Sequence, residues 1–490
     1  MPKKVIFSSF VSIAIAVTLV LSITAQAEQK DTENKINKNI QTSPKSSLMN
    51  PIKYKGCVAD GILSEYGKDM SNQVDVIKRS ECSYLHRALE TWAHPPDFEK
   101  ARKIMAAIDR DDMIYGMFLA EAINPKAKLR YPDERRSFKF KEMCKKGSKG
   151  TWGENTCKAD LGSEEYRKYL KYITEQAIDM GIQSFLFGQI YFQERDLDDP
   201  IAPQIVSEMR KYAAAQGKEI VIGAQTNDIT DEKYLRVFDY IEGGVGQNAE
   251  GKIEDKECSS KWGWCWALLW NDKYAKHAND VVLHLDWSGF KNDDMSIYAQ
   301  MDKETRQKTL RGLYDYFTGK DMGFLMPYLA VVNSEINGCY GPKKDFYSPG
   351  SMYKCNDEAV MTQVLEKGER DEAKFVGQSV PSAMIAGERY SVSLIMKNTG
   401  TTTWKKDNLY RLGEEGEAVS PVWGGRADFL VEDAIKPGEE KMFSFDVTAP
   451  KEPGTYNFRW RMLQEFGGWF GESSISIPVT VHGQEAKSVL

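Results

Sequence analysis

Four acidic residues stand where apolar stretches of this 490-residue chain give way to polar ones: Glu121, Glu194, Glu242 and Asp286. Glu121 follows the run 113–120. Glu194 follows the run 184–192, which also carries Gln189 and Tyr191. Gln225 and Asn227 follow 219–224, Glu242 ends 238–242, and Asp286 with Trp287 ends 281–287. Tyr328 lies late in the run 323–332. Carboxylates, amides and aromatic rings are the groups that glycoside chemistry uses. One carboxylic acid protonates the leaving oxygen while a second carboxylate attacks or activates water. Amides bind hydroxyls, and aromatic faces stack on sugar rings.

Among the four acids, Asp286 is the first choice for a catalytic role. The stretch VVLHLDWSG reads as a buried strand ending on a carboxylate, and a charge there is costly unless it is solvated or paired. Glu242 comes second, because Gly243 and Gly244 after it admit close approach to the backbone. Glu194 and Glu121 are the substitutes. Gln189, Tyr191, Gln225, Asn227, Trp287 and Tyr328 are the candidates for binding substrate. Each acid also has an ordinary alternative, as a helix N-cap or half of a structural ion pair. Asp293 and Asp294 read as an exposed loop or helix start, without the spacing of a calcium-binding loop.

No cofactor or metal is expected. The chain has five histidines, each isolated in sequence and read as structural, and no C-x-x-C pair. The tract from Lys261 to Trp270 holds four tryptophans. Trp266 and Trp270, one helical turn apart, read as core. Trp262 and Trp264 are candidates for a stacking platform.

Elements must carry these residues to one place. Apolar runs alternate with amphipathic segments at 163–180, 201–215, 267–278 and 303–318, followed by a helix at 356–367. Strands alternating with helices indicate a parallel sheet. A TIM-like β/α barrel over 51–370 is expected, with six βα units clear and a further strand near 57–66. In such a barrel the strand ends and the loops after them form the ligand face. An open doubly wound sheet is the alternative, but no glycine-rich phosphate loop follows a strand.

After the charged stretch 369–374, the runs 389–396, 441–447, 455–463 and 473–481 alternate with period two between Gly- and Pro-containing turns. This is the pattern of an antiparallel β-sandwich, expected over 374–483. The tract Asn398-Thr399-Gly400-Thr401-Thr402-Thr403-Trp404, followed in order by Trp423, Trp460 and Trp469, resembles the four-tryptophan (FW) Ig-like domain. The resemblance covers less than a quarter of the chain. It implies an Ig-like fold with a binding or spacer role, including a possible protein partner, and no activity. Trp404 and Trp460 read as core, and Trp469 as an exposed turn aromatic.

Residues 1–27 read as a signal peptide: Lys3 and Lys4, an uncharged run to Ala25, and the small-x-small site Ala25-Gln26-Ala27. Residues 28–50 read as a disordered linker. Once the leader is cleaved, no membrane span is expected. Eight cysteines behind such a leader argue for disulfides. Short gaps favour Cys57–Cys82, Cys144–Cys157, Cys258–Cys265 and Cys339–Cys355. A net charge of −6 argues against nucleic acid as partner. The expectation is a secreted, periplasmic or cell-surface carbohydrate-active protein, a glycoside-hydrolase-like barrel with an Ig-like accessory domain that acts on a polysaccharide or glycan. A non-catalytic carbohydrate- or protein-binding surface protein is the alternative, and a structural spacer in a surface assembly comes third.

Overall fold

A computed structural model of the chain describes residues 46–483 except 47, 68, 256–267, 288–290, 336–338, 340–345, 351–354, 369, 416–420 and 466–467. The expected leader, most of the linker, Trp262, Trp264, Cys258 and Cys265 lie outside the described residues.

The first part of the chain forms one curled parallel sheet with helices between its strands. Its strands are β1 (Gly56–Ala59), β2 (Tyr84–Glu90), β3 (Ile114–Leu119), β4 (Ile182–Phe187), β5 (Val221–Ala224), β6 (Tyr240–Gly244), β7 (Val281–His284), β8 (Gly323–Phe324) and β9 (Met326–Val331). Each of β1 to β8 runs parallel to the next in the series. Strand β9 pairs parallel to β1, and Leu325 alone separates it from β8. A final short strand, Phe346–Tyr347, pairs antiparallel to β9. Almost every residue of β1 to β9 is buried, as expected of parallel strands covered by helices.

Local chemistry sets the helices. Ser163 accepts the N–H of Tyr166 at 3.3 Å to start Glu164–Met180, and Gly181 ends that helix at φ 107°. Two segments depart from the sequence reading. The strand expected to reach Phe192 stops at Phe187, where Gly188 and Gln189 turn the chain into the short helix Ile190–Gln193. The helix expected over 267–278 is the single turn Asp272–Ala275, capped by Asn271. Strand β2 had no counterpart in the sequence reading.

Disulfides join Cys57 to Cys82, Cys144 to Cys157 and Cys339 to Cys355. Among the described residues, no helix is long and apolar enough to cross a membrane.

From Ala373 the chain is all-β and Ig-like. Arg389–Asn398 pairs antiparallel along nine residues with Glu440–Thr448. Trp404, Trp423 and Trp460 are each at most 1% exposed and lie in one core, whereas Trp469 is 43% exposed. The Asn398 turn has a structural reason. Its side-chain amide donates to the carbonyls of Thr402 (2.7 Å) and Ile435 (2.9 Å), and its Oδ1 accepts the N–H of Gly400 at 3.0 Å. The turn also meets the first part of the chain, since Asn50 donates to the Gly400 carbonyl at 3.0 Å and Thr401 to that of Gly368 at 2.9 Å.

Candidate active site at the strand ends

Side chains that alternate along a strand point to opposite faces, so polar residues two apart share one face. Tyr84 and His86 on β2 stand in that relation, as do Tyr240 and Glu242 on β6. Inside the curled sheet the Tyr84 hydroxyl lies 3.0 Å from His86 Nδ1 and 3.1 Å from Ser184 Oγ, which lies 3.3 Å from the Tyr240 hydroxyl. Above this chain of hydroxyls sits Glu242. Its Oε1 is 3.3 Å from His86 Nε2 and in close contact with His284 Nε2. Asp286 Oδ1 lies 3.9 Å from that same His284 nitrogen. His284 Nδ1 is 3.2 Å from the carbonyl of Leu285, a partner that orients the ring. All four residues are at most 4% exposed.

Burial and charge separate their protonation states. Burial works against a charge on Glu242, but the charge and hydrogen bond of His284, helped by His86, outweigh it and hold the carboxyl well below its usual range. Burial likewise opposes a charge on His284, and Glu242 and Asp286 overcome it, so its pKa is raised. Burial lowers that of His86, which Glu242 offsets only in part. Asp286 goes the other way. Burial, then the nearby charges of Asp294, Asp293 and Glu242, push it up to about 8 against the pull of His284. Its Oδ2 is buried and makes no hydrogen bond among the described residues. These shifts favour an ionised Glu242 paired with a cationic His284, beside an Asp286 that holds its proton.

His86, Glu242 and His284 place one donor atom each within 4.8 Å of one another. Two imidazoles and a carboxylate form a donor set that fits zinc or a non-haem iron. The ion pair accounts for the same contacts without a metal.

Asp294 holds the frame. Its carboxylate accepts the N–H groups of Val245 (2.8 Å), Gly246 (3.2 Å), Gln247 (3.1 Å) and Asp286 (3.4 Å), tying together the loops after β6 and β7. Asp293 caps the helix Asp294–Gln300 by accepting from Ser296 N at 2.7 Å. The pair does start a helix, but both residues are 9% exposed, which corrects the expected exposed loop. Gly244 leaves its side-chain space to Asp294 and Asp286: an added Cβ would lie 2.8 Å from Asp294 Oδ2 and 2.9 Å from Asp286 Cβ.

The other expected residues divide. Glu121 is buried at the end of β3; Gln189 donates to its Oε1, and its Oε2 makes no hydrogen bond among the described residues. The Gln189 N–H in turn donates to Gln225 Oε1 at 3.1 Å. Asn227 holds φ 50° and Gln189 φ 32°, left-handed values that non-glycine residues adopt at a cost and that cluster at functional sites. Trp287 is half-buried, with an indole N–H that meets no partner among the described residues. Tyr191 is 44% exposed on the loop after β4.

Glu194 and Tyr328 lie apart from this group. Glu194 accepts the N–H groups of Ile201 (3.1 Å) and Ala202 (2.7 Å), so its carboxylate caps the helix Ala202–Ala215. Tyr328 is fully buried within β9 rather than at its end, and its neighbours there are Thr362, Glu358, Glu81 and Arg79.

Residues 380–481 match the family model of the Ig-like domain from next to BRCA1 gene. No curated protein matches the chain in sequence. Solved structures similar to it include the isomalto-dextranase of Arthrobacter globiformis T6 complexed with panose. That protein is 12% identical over 86% of this chain and 76% of that one, with a TM-score of 0.41. A second is the Arthrobacter globiformis cyclic alpha-maltosyl-(1→6)-maltose hydrolase in complex with maltose, at 10% identity, 80% and 93% coverage and TM-score 0.37. A third is a β-L-arabinopyranosidase from Geobacillus stearothermophilus in complex with arabinose, at 10% identity, 81% and 95% coverage and TM-score 0.33.

The sequence reading missed the contribution of β2. Arg87 there holds φ 54°, lies 2.9 Å from Glu90 and 3.7 Å from Asp60, and covers the Phe118 ring at 4.0 Å. In YLHRALE the polar residues break the apolar run that marks a buried strand. The spacing Tyr84-x-His86, repeated as Tyr240-x-Glu242, was the signal available.

Proposed function

We propose that the chain is a secreted carbohydrate-active enzyme that hydrolyses a glycosidic bond at the strand ends of its first domain. In this reading β8 and β9 act as one strand and close the sheet into a TIM-like (β/α)₈ barrel over 51–370. The observation that carries the proposal is that Asp286 and Glu242 reach the same nitrogen of His284, in surroundings that push the pKa of Asp286 up and that of Glu242 down.

Asp286, protonated at neutral pH, gives its proton to the glycosidic oxygen as the bond to the anomeric carbon breaks. Glu242, ionised, is the second carboxylate: it attacks that carbon or takes a proton from the water that does. His284 holds the negative charge on Glu242 and spaces the two carboxyls. Glu121 is the substitute acid. Gln189, Gln225 and Asn227 bind hydroxyls, and Trp287 and Tyr191 offer rings to the sugar. The leader sequence and the disulfides support export. The Ig-like domain serves as an accessory module, with the exposed Trp469 available to a glycan or a protein partner.

Reducing-end release from a panel of neutral and acidic polysaccharides, measured with the full chain, tests the reading; turnover of at least one polymer is expected. A second reading, a non-catalytic carbohydrate-binding barrel, is favoured by the two imidazoles that tie up Glu242. Binding without turnover across the panel selects it.

A further inference from the structure

A cleft of about 620 Å³ opens between the loop after β3 and the loop after β4. That volume suits one or two sugar rings. Its walls belong to the same loops that carry Glu121 and Gln189, for Lys158 directly precedes Ala159, whose N–H donates to the Glu121 carbonyl at 2.8 Å. Lys145, Lys146, Lys158 and Arg195 line it, together with Tyr191 and Phe192.

The charge of the cleft is built in rather than scattered. Lys145 and Lys158 flank the disulfide Cys144–Cys157, and the Lys145 N–H donates to the Lys158 carbonyl at 2.8 Å. Two like charges are thereby fixed side by side. Lys145 Nζ is spent on backbone carbonyls, those of Phe192 (3.1 Å) and Glu194 (2.6 Å). Lys158 Nζ lies 3.8 Å from the centroid of the Phe192 ring and 5.7 Å from that of Trp152. Neither lysine has a carboxylate within ion-pair distance among the described residues. Burial and the charge of Lys145 lower the pKa of Lys158, the cost of a cation held without a counter-ion.

The acids at the cleft offset its charge only in part, for Glu194 and Asp196 line it against four cations. Glu194 is committed to the helix N–H groups, and Asp196 to the N–H of Asp198 at 2.9 Å. Asp160 is committed to Arg195, at 2.8 Å. In a chain of net charge −6, a cation pair fixed by a disulfide beside aromatic rings calls for an anionic ligand.

We propose that this cleft is a subsite for an acidic sugar, one bearing a carboxylate or a sulfate, with the anion at Lys145 and Lys158 and the ring beside Tyr191. The proposal rests on the reading of the neighbouring strand ends as a glycan site.

Calorimetry on the full chain tests it with trigalacturonate, a sulfated oligosaccharide and neutral isomaltotriose, using wild type, Lys158→Gln and Lys146→Gln. At low salt, at least one anionic probe is expected to bind ten-fold or more tightly than the neutral one. Lys158→Gln should remove that margin, and 0.5 M salt should shrink it. Uronate against sulfate preference identifies the anion. Equal affinity for charged and neutral probes, or a Lys158→Gln variant that binds like wild type, overturns the proposal. Tight acidic binding without turnover refutes only the enzyme reading, whereas Asp286-dependent cleavage of a neutral polymer without anionic preference refutes only this one.

Discussion

Asp286 stands 3.9 Å from His284 Nε2, the nitrogen that already holds Glu242. One imidazolium thus faces a carboxylate that burial would keep neutral and another that it keeps ionised. This places a titration near pH 8 inside the site, since burial and its acidic neighbours raise Asp286 to about 8. In the proposed reaction the acid form of Asp286 is the proton donor, so kcat/KM should fall as pH climbs through about 8. The stability sign follows from the same shift. The folded state binds the Asp286 proton more tightly than the unfolded chain, so the contribution is complete below about 4 and is lost between about 4 and 8. Urea midpoints at pH 5 and pH 9 should show the loss, and Asp286→Asn should flatten it.

Glu194 gives a control among the carboxylates. Its oxygens accept the first N–H groups of Ala202–Ala215, so Glu194→Ala should cost about 1–2 kcal/mol, as for a lost N-cap. Cleavage per folded molecule should persist. Chemical denaturation alongside an activity titration checks both.

Asp294 should matter more. Four N–H groups converge on it, one of them that of Asp286, so Asp294→Ala leaves buried donors unpaired and should cost about 3 kcal/mol or more. Turnover should fall with it, because the Asp286 loop loses its anchor. Asp294→Asn, which retains one acceptor oxygen, should recover part of both, read as a denaturation midpoint and a kcat.

The cysteines divide the chain. All eight precede residue 356, and the three described disulfides lie in the first domain. Reduction should lower that domain's transition by an amount on the order of 3 kcal/mol for each closed loop of about 15 residues. The Ig-like transition should stay where it was, since its stability comes from Trp404, Trp423 and Trp460. Calorimetric scans with and without reductant separate the two.

The alternation of strands and helices, the all-β C-terminal part and the positions of Glu121, Gln189, Gln225, Glu242 and Asp286 at strand ends were readable from the chain. Each depends on local pattern: an apolar run, then a polar residue. What stayed hidden depends on contacts between distant segments. The Tyr84-x-His86 spacing hints at a shared face but not that His86 and His284 both meet Glu242, because the parallel pairing of β6 with β7 and the curl that brings β2 round are tertiary facts. Glu194 misled for the same reason. An acid after an apolar run can cap the next helix or face a substrate, and only the N–H groups of Ile201 and Ala202 decide which. Tyr328 sits one half-turn of the pleat from the inner face, a difference of a single residue in register.

The most direct test is cleavage by Asp286→Asn. On a polysaccharide that the wild type hydrolyses, the variant should lose at least about 100-fold in kcat, the usual worth of a positioned acid, with a thermal midpoint at pH 6 no lower than that of wild type. Wild-type turnover in a folded Asp286→Asn protein would contradict the assignment of the strand-end acid.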